Sequence, residues 1–486
     1  MDRMGYFSII APDMGKIFIL LGAISTLPLL VCAVFQEWEV LIPMVIVPVV
    51  FFLLGSLLVR QPEQKRESRL SIALASVALI WLISAIIGSI PFILALKMPI
   101  TDSIFEAMSG WTSTGLSLVP SVDDTPKTIL FWRSFMQWVG GIGIVAFTIA
   151  LSQRSGLIQR GLYRSEGRAE AFMPSVVATA AQMWKIYIVI TAFSIGLVLI
   201  SGIPVWDAVN LAMTAIATGG FSVHSAGISF YDNPLLEMLL IPVMIAGALP
   251  FKLYYLMYTR RKVGIFGDRQ AQLLFTLFFI GCVVVTFDLI TRIGLDIGTA
   301  IRQGIFMVAS GITCTGFQNT SLAIWSSVTV LFLSALMFIG GSSGSTAGGI
   351  KLNRVILGLE GLVWWFKRIF VSGNVLVPFR HEGKSIPKKI AEIEVSKNML
   401  IIILFFFTIM VSTFTVFHLE AQTPYETSEV IFELISAMSN VGISTGFVSP
   451  EMGIGSKWLF IFLMWFGRLE LVPVIVLFMG LWKGFD

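Results

Sequence analysis

From Leu41 to Val59 the chain carries no charged residue, and apolar runs of this kind recur along its whole length. About 20 consecutive apolar residues let an α-helix cross a bilayer core of about 30 Å. Such a chain has two solutions in lipid, helices or a closed barrel, because every backbone polar group must be paired internally. A barrel needs alternating segments of about 10 residues, and these runs do not alternate. Composition agrees: 56% of the 486 residues are hydrophobic and 13% charged, where a soluble domain carries about 25% charged residues. The sequence predicts an all-α polytopic membrane protein.

Ten spans are expected, at 17–35, 41–59, 70–96, 128–151, 178–201, 234–258, 271–291, 325–348, 398–418 and 457–481. The first, Ile17 to Phe35, has no small-residue cleavage site and is followed at once by another span, so it reads as a retained helix. Cys32, Cys282 and Cys314 all lie in or beside apolar segments, and no disulfide framework is indicated. Four semi-apolar segments remain, beginning near Asp102, Asp207, Ile301 and Glu429. Each is too short to cross the membrane and too apolar for an ordinary loop, which suits a re-entrant segment.

Charge orients the spans. Arg60, Lys65, Arg66 and Arg69 follow the second; Arg154, Arg160, Arg164, Arg168 and Lys185 lie between or just inside the fourth and fifth. Arg260, Arg261, Lys262 and Arg269 follow the sixth, and Lys367, Arg368, Arg380, Lys384, Lys388, Lys389 and Lys397 the eighth. The positive-inside rule makes these loops cytoplasmic and puts both termini inside, as Arg3, Lys16 and Lys483 also suggest. The other side holds the four short segments and the acids Asp102, Asp123, Asp124, Asp207, Glu426, Glu429 and Glu433.

Those four segments share one frame. Aligned on Gly115, Gly220, Gly316 and Gly442 they read EAMSGWTSTGLS, LAMTAIATGGFS, MVASGITCTGFQ and ELISAMSNVGIS. A large apolar residue follows each glycine (Leu116, Phe221, Phe317, Ile443). Thirteen positions before it stand Asp102, Asp207, Gln303 and Glu429, and ten before it Phe105, Asn210, Phe306 and Phe432. The glycines lie 105, 96 and 126 residues apart (115 to 220 to 316 to 442), room for a span, a loop and a span each time. In such a unit the early polar residue can cap a short helix descending into the membrane. Its glycine lets the strand beyond point carbonyls inward. Four such strands around one axis make a ring of carbonyl oxygens able to replace an ion's hydration shell, and four helix C-termini aimed at it favour a cation. The competing explanation is close helix packing through small residues, which accounts for one such segment more easily than for four in register.

At these residues the chain resembles the Trk/Ktr/HKT superfamily of potassium transporters, most closely the membrane subunit of the Trk branch. The strings ATGGFSVHSAG (217–227), GGSSGSTAGGIK (340–351), SNVGISTGF (439–447) and FGRLEL (466–471) carry the resemblance, which covers essentially the whole chain. It implies an N-terminal two-helix domain (1–66) followed by four M1–pore-loop–M2 repeats (67–165, 166–265, 266–390 and 391–486), pseudo-fourfold around one central pore. The filter strands it implies are Ser113, Thr114 and Gly115; Thr218, Gly219 and Gly220; Cys314, Thr315 and Gly316; Asn440, Val441 and Gly442. In the plant HKT branch a serine in place of the first filter glycine goes with sodium preference, and here Gly115 is present. No strand reads like a full potassium-channel filter, and Cys314 and Asn440 stand where hydroxyls are expected.

The resemblance also makes the stretch Gly340, Gly341, Gly344, Gly348, Gly349 an intramembrane gating loop below the filter, with a flexible end to the eighth span as the alternative. Lys351 is then either a loop anchor or a snorkelling lysine. Arg468, in mid-span where a charge is expensive, matches an arginine near the permeation path; a structural salt bridge, to Glu470 or another acid, competes. Arg133 and Lys252 read as snorkelling or interfacial residues, and His224 as a hydrogen-bonding loop residue. The function so implied is potassium uptake with K+ as the transported ion, no organic cofactor in this chain and no chemistry. The location implied is the cytoplasmic (inner) membrane of a prokaryote. A homodimer on a ring of cytosolic nucleotide-binding regulatory subunits (TrkA-like) is expected, with 152–170 and 378–397 as docking surfaces or contacts for membrane lipids, and no nucleic acid. The alternative is a proton- or sodium-coupled symporter, for which Glu237, Asp288 and Glu470 are the candidate buried acids. No metal-ligand spacing or nucleophile–base pair appears, so the chain does not read as an enzyme.

Overall fold

The computed structural model describes residues 3–61, 70–143, 175–260, 264–370, 377–381, 384–421 and 423–484. Lys65, Arg66, Arg69, Arg261, Lys262 and the basic stretch 152–170, with Arg154, Arg160, Arg164 and Arg168, lie outside the described residues.

The chain opens with α1 (Arg3–Ile24), α2 (Leu27–Phe35) and α3 (Leu41–Val59). α1 and α3 cross so tightly that a methyl added at Gly15 would meet the Gly55 carbonyl oxygen at 2.7 Å, the close approach that small residues allow between helices. The order long helix, short helix, extended segment, second helix then recurs four times. It runs through α4 (Leu70–Gly88), α5 (Ile90–Leu94), α6 (Ile100–Trp111) and α7 (Lys127–Ile142). Next come α8 (Val176–Leu199), α9 (Val205–Ile216), α10 (Pro234–Ala248) and α11 (Phe251–Arg260). The third run is α12 (Arg269–Asp288), α13 (Ile297–Ile312), α14 (Ser327–Ile339), a glycine-rich loop and α15 (Leu352–Ile369). A hairpin of β1 (Phe379–His381) and β2 (Lys384–Ile386) leads to α16 (Lys388–Leu419), α17 (Thr427–Met438), α18 (Ile454–Arg468) and α19 (Val472–Lys483).

Among the described residues six helices are long and apolar enough to cross a membrane, or up to eight if each bent pair is one span. The expected spans 234–258 and 457–481 are not straight: the first bends by 92° between α10 and α11, the second by 110° between α18 and α19. Pro250 explains the first break, since it drives Leu249 to extended angles (φ −82°, ψ 151°) and cannot donate to the helix. At the second, Glu470 and Leu471 both take positive φ (55° and 70°). Likewise 325–348 is helical only to Ile339. The polar residues expected to cap the short helices do not occupy the cap position either. Asp102 and Asp207 sit in the first turn behind Pro99 and Pro204, and Glu429 behind Glu426. α13 starts at Ile297, so Asp296 caps it and Gln303 lies inside.

The outer helices Arg269–Ile293 and Lys388–Leu419 leave Phe279, Phe287, Phe407 and Phe414 exposed, which suits an apolar solvent. The short helices lie in the centre, with Phe105, Phe306 and Phe432 fully buried. Polar clasps tie each run to the next near the starts of the short helices. Asp123 contacts His224 at 2.9 Å, Glu237 pairs with Arg302 at 2.8 Å, and Ser327 donates to Glu426 at 2.8 Å. Lys457 closes the circuit on Asp102 at 2.7 Å, across 355 residues, with both side chains buried.

One side chain beside the N-terminal helices caps a helix of the first run. α7 begins after Pro126, which supplies no cap, and its Lys127 and Thr128 amides donate instead to the two oxygens of Glu37, each at 2.8 Å. A helix start leaves four amides unpaired, and a carboxylate there also meets the positive end of the helix dipole. Glu37→Ala is expected to cost about 0.5–2 kcal/mol, the usual worth of a cap. This would be read as a lower thermal midpoint in detergent, with the exposed Glu39→Ala as the unaffected control.

Candidate functional site

All four short helices end the same way. The residue two before each frame glycine lies in the left-handed region: Ser113 (φ 52°), Thr218 (φ 49°), Cys314 (φ 55°) and Asn440 (φ 52°). Its amide donates back to the carbonyl of Gly110, Ala215, Gly311 or Ala437, at 3.0–3.2 Å. The next amide, of Thr114, Gly219, Thr315 or Val441, donates to Ser109, Thr214, Ser310 or Ser436, at 2.8–2.9 Å. This pair of bonds is a Schellman cap. It is ordinarily closed by glycine or asparagine, and here by asparagine in one helix of four.

The glycines beyond have positive φ as well: Gly115 100°, Gly220 77°, Gly316 94° and Gly442 91°. A methyl added to Gly115 would overlap the carbonyl oxygen of Gly219, one on Gly220 that of Thr315, one on Gly316 that of Val441, and one on Gly442 that of Thr114. The contacts therefore run from each strand to the next and from the fourth back to the first. Eight of the twelve residues expected at the filter take part in this circuit (Thr114, Gly115, Gly219, Gly220, Thr315, Gly316, Val441 and Gly442), and Ser113, Thr218, Cys314 and Asn440 stand beside it at the caps. Behind it lie Leu116, Phe221, Phe317 and Ile443, all buried.

Braces that sequence reasoning missed hold the strands. A hydroxyl stands six positions before every glycine (Ser109, Thr214, Ser310, Ser436), a pattern legible in the sequence. Ser109 and Ser436 accept from the amides of Gly115 and Gly442, each at 3.0 Å. Nine positions before the first and fourth glycines stand Glu106 and Glu433, both fully buried. Glu106 accepts from Ser117 Oγ and the Leu118 amide at 3.1 and 2.9 Å; Glu433 accepts from Ser444 Oγ and the Thr445 amide at 2.5 and 2.8 Å. Gln137 on α7 spans the second strand, donating to Gly219 O at 2.6 Å and accepting from the Phe221 amide at 3.0 Å.

Arg133 is not interfacial. It is 2% exposed, pairs with Glu106 at 2.7 Å, donates to Ser222 O at 3.2 Å and lies 4.0 Å over the Phe221 ring. The Glu106 charge holds it inside. Of the acids expected on the outer side, Asp102 is engaged by Lys457 and Glu433 by its own strand. His224 does bond across loops, its Nδ1 2.9 Å from Asp123 and its Nε2 3.3 Å from Asp207. Bonds from Ser225 and then His224 hold the Asp123 carboxyl below the usual carboxylate range. The stabilisation from that shift is complete above the unfolded value of about 3.9 and lost as pH falls through the lowered one.

The glycine-rich stretch after α14 is non-helical and folded back beneath the strands. Gly340, Gly344 and Gly349 have φ of 71°, 75° and 75°. The Gly349 amide donates to Ser439 O at 2.9 Å, at the end of α17, and a methyl on Gly348 would overlap that same oxygen. Gly341 lies against Ala347, and its carbonyl accepts from the Leu352 amide at 2.9 Å. Lys351 turns back on the loop and donates to Ala347 O. Arg468 donates to Thr346 O in the loop at 3.1 Å, and to Gly140 O and Gly141 O at 2.5 and 2.7 Å. Glu470, the acid proposed for Arg468, is ion-paired with Arg354. Among the described residues no group of three or more His, Cys, Asp or Glu could hold a metal ion.

Four central short helices, each followed by a strained glycine strand, thus stand above one glycine-rich loop. The chain matches the family model TrkH, cation transport protein, over residues 44–483. It is 31% identical to an uncharacterized cation transporter of Methanocaldococcus jannaschii, over 96% of this chain and 94% of that one. It is 28% identical to the Trk system potassium uptake protein TrkH of Escherichia coli K12, over 86% of each chain. The crystal structure of the potassium transporter TrkH from Vibrio parahaemolyticus superposes with a TM-score of 0.86 at 23% identity, covering 98% of this chain and 99% of that one, which shows a common fold. The chain belongs to the TrkH family of cation transport proteins, and it is not an enzyme.

Arg133→Met, which strands the buried Glu106 charge, is expected to cost about 3–5 kcal/mol. Arg133→Met with Glu106→Gln should recover most of it. Thermal midpoints of the two variants in detergent check the order.

Proposed function

We propose that this protein carries potassium into the cell through one pseudo-fourfold pore whose filter is the circuit of four capped strands. The observation that carries this is the repetition of one strained backbone four times, each glycine seated on the next strand's carbonyl. A ring of carbonyls can stand in for the hydration shell of a cation. The four short helices end at the same place, so their negative dipole ends add to the attraction. Potassium as the ion follows from the relatives named for potassium uptake and from glycine at position 115.

In this reading 1–66 is an N-terminal helix pair and 67–165, 166–265, 266–390 and 391–486 are the four pore repeats. The stretch 340–350 is the gate: it lies under the ends of α9, α13 and α17, while Arg468 keeps a positive charge beside it that raises the barrier to a cation. Lys351 anchors the loop. The basic loops face the cytoplasm with both termini, the protein works as a homodimer in a prokaryotic inner membrane, and a cytosolic nucleotide-binding subunit (TrkA-like) acts on the gate. The observations favour this channel-like path over a coupled symporter. The three acids considered as proton carriers are engaged in the fold: Glu237 with Arg302, Asp288 with Ser326, Thr329 and Arg292, and Glu470 with Arg354.

Cation flux into liposomes holding the purified protein tests it. Potassium and rubidium should pass well above sodium and lithium, and Gly115→Ser or Gly316→Ser should abolish that preference. Arg468→Ala should raise flux. Equal flux of all four cations would overturn the filter, and flux that appears only with a pH gradient would restore the symporter.

A further inference from the structure

The four caps differ in what holds their left-handed residue. In three repeats it is the main chain of that repeat's own second helix. Ser113 Oγ donates to Gln137 O at 3.0 Å, Asn440 Nδ2 to Met464 O at 2.9 Å, and Cys314 Sγ to Met337 O at 3.9 Å. The second repeat is the exception: its second helix meets Thr218 at Gly247, where an added methyl would lie 2.9 Å from Thr218 Cγ2, so the helix packs on the methyl and the hydroxyl bonds elsewhere. Thr218 Oγ1 has one proton to give, shared between its neighbour Ala217 O at 2.8 Å and Thr346 Oγ1 of the glycine-rich loop at 3.2 Å.

Thr218 is also the most strained of the four. A β-branched residue with positive φ is an outlier that persists only when its surroundings hold it. Thr346 is buried at the junction of every part concerned. Its Oγ1 lies 2.9 Å from Ile216 O at the end of α9 and 2.9 Å from Gly247 O beside the helix break. Its amide donates to Gly247 O at 3.1 Å, and its carbonyl accepts from Arg468 at 3.1 Å.

We infer that Thr346 is a positioning residue that couples the gate to the selectivity of the filter through its second strand. While the loop is seated, Thr346 supplies the support that a second helix gives elsewhere. When the loop withdraws, Thr218 loses that partner and the second strand relaxes, while the other three keep theirs. Selectivity then depends on the position of the gate. The inference rests on reading 340–350 as the gate and 218–220 as a filter strand.

Potassium and sodium flux in liposomes tests it on the intact protein. Thr346→Val keeps the shape and loses the hydroxyl; it should raise flux about 2- to 10-fold, the worth of one hydrogen bond, and lower the potassium-to-sodium ratio. Thr346→Ser should behave as the parent in both. Thr218→Val should lower the ratio, and adding Thr346→Val should lower it no further, since the pair acts as one unit. Should Thr346→Val not elute as a folded protein, Thr346→Ala takes its place. An unchanged ratio in the Thr346 variants, or independent effects that multiply, would overturn the coupling. Gly220→Ser separates the two levels. If it abolishes discrimination while Thr346→Val leaves the ratio unaltered, the coupling alone fails; if it leaves discrimination intact, the filter reading fails too.

Discussion

A helix that ends in a protein interior leaves carbonyls with no water to bond, and much of this structure follows from how four such ends are satisfied. Each is closed by two amides from a residue pair in a left-handed turn. That turn throws the next residues out as an extended strand with glycine at its end. Because glycine has no side chain, neighbouring strands approach until backbone meets backbone. The rest of the molecule serves to hold those strands in a conformation they would not keep alone.

Holding them takes charge as well as packing. Two buried glutamates grip the strands just past the first and fourth glycines, and only one of them faces an arginine within that grip. The clasps between repeats are polar too, and they join residues about 65 to 355 positions apart. Backbone strain is likewise concentrated at the centre. Ser113, Thr218, Cys314, Asn440, Lys351, Glu470 and Leu471 all have positive φ, and they lie at the caps, the loop and the last helix break. Strain of this kind persists where surrounding structure over-determines it.

Much of the plan was legible. The apolar runs announced helices, and a four-way frame on Gly115, Gly220, Gly316 and Gly442 announced the short helices and their strands. The hydroxyls six positions before each glycine were equally visible and passed unread. The break after Leu249 was also in view, since Pro250 forbids helix there. Arg133 misled because position near a span end suggests snorkelling, whereas a carboxylate from another helix decides its place.

The sequence by itself determined the class of protein and its period: lipid demands internally bonded helices, and a glycine at a fixed distance from a short apolar helix can be counted along a chain. Only the tertiary structure decided which strand touches which, that Glu37 caps α7, that Lys457 reaches Asp102, and that Thr218 leans on Thr346. Those are contacts between segments distant in sequence. No local preference encodes them, because each partner's identity is set by where whole helices pack.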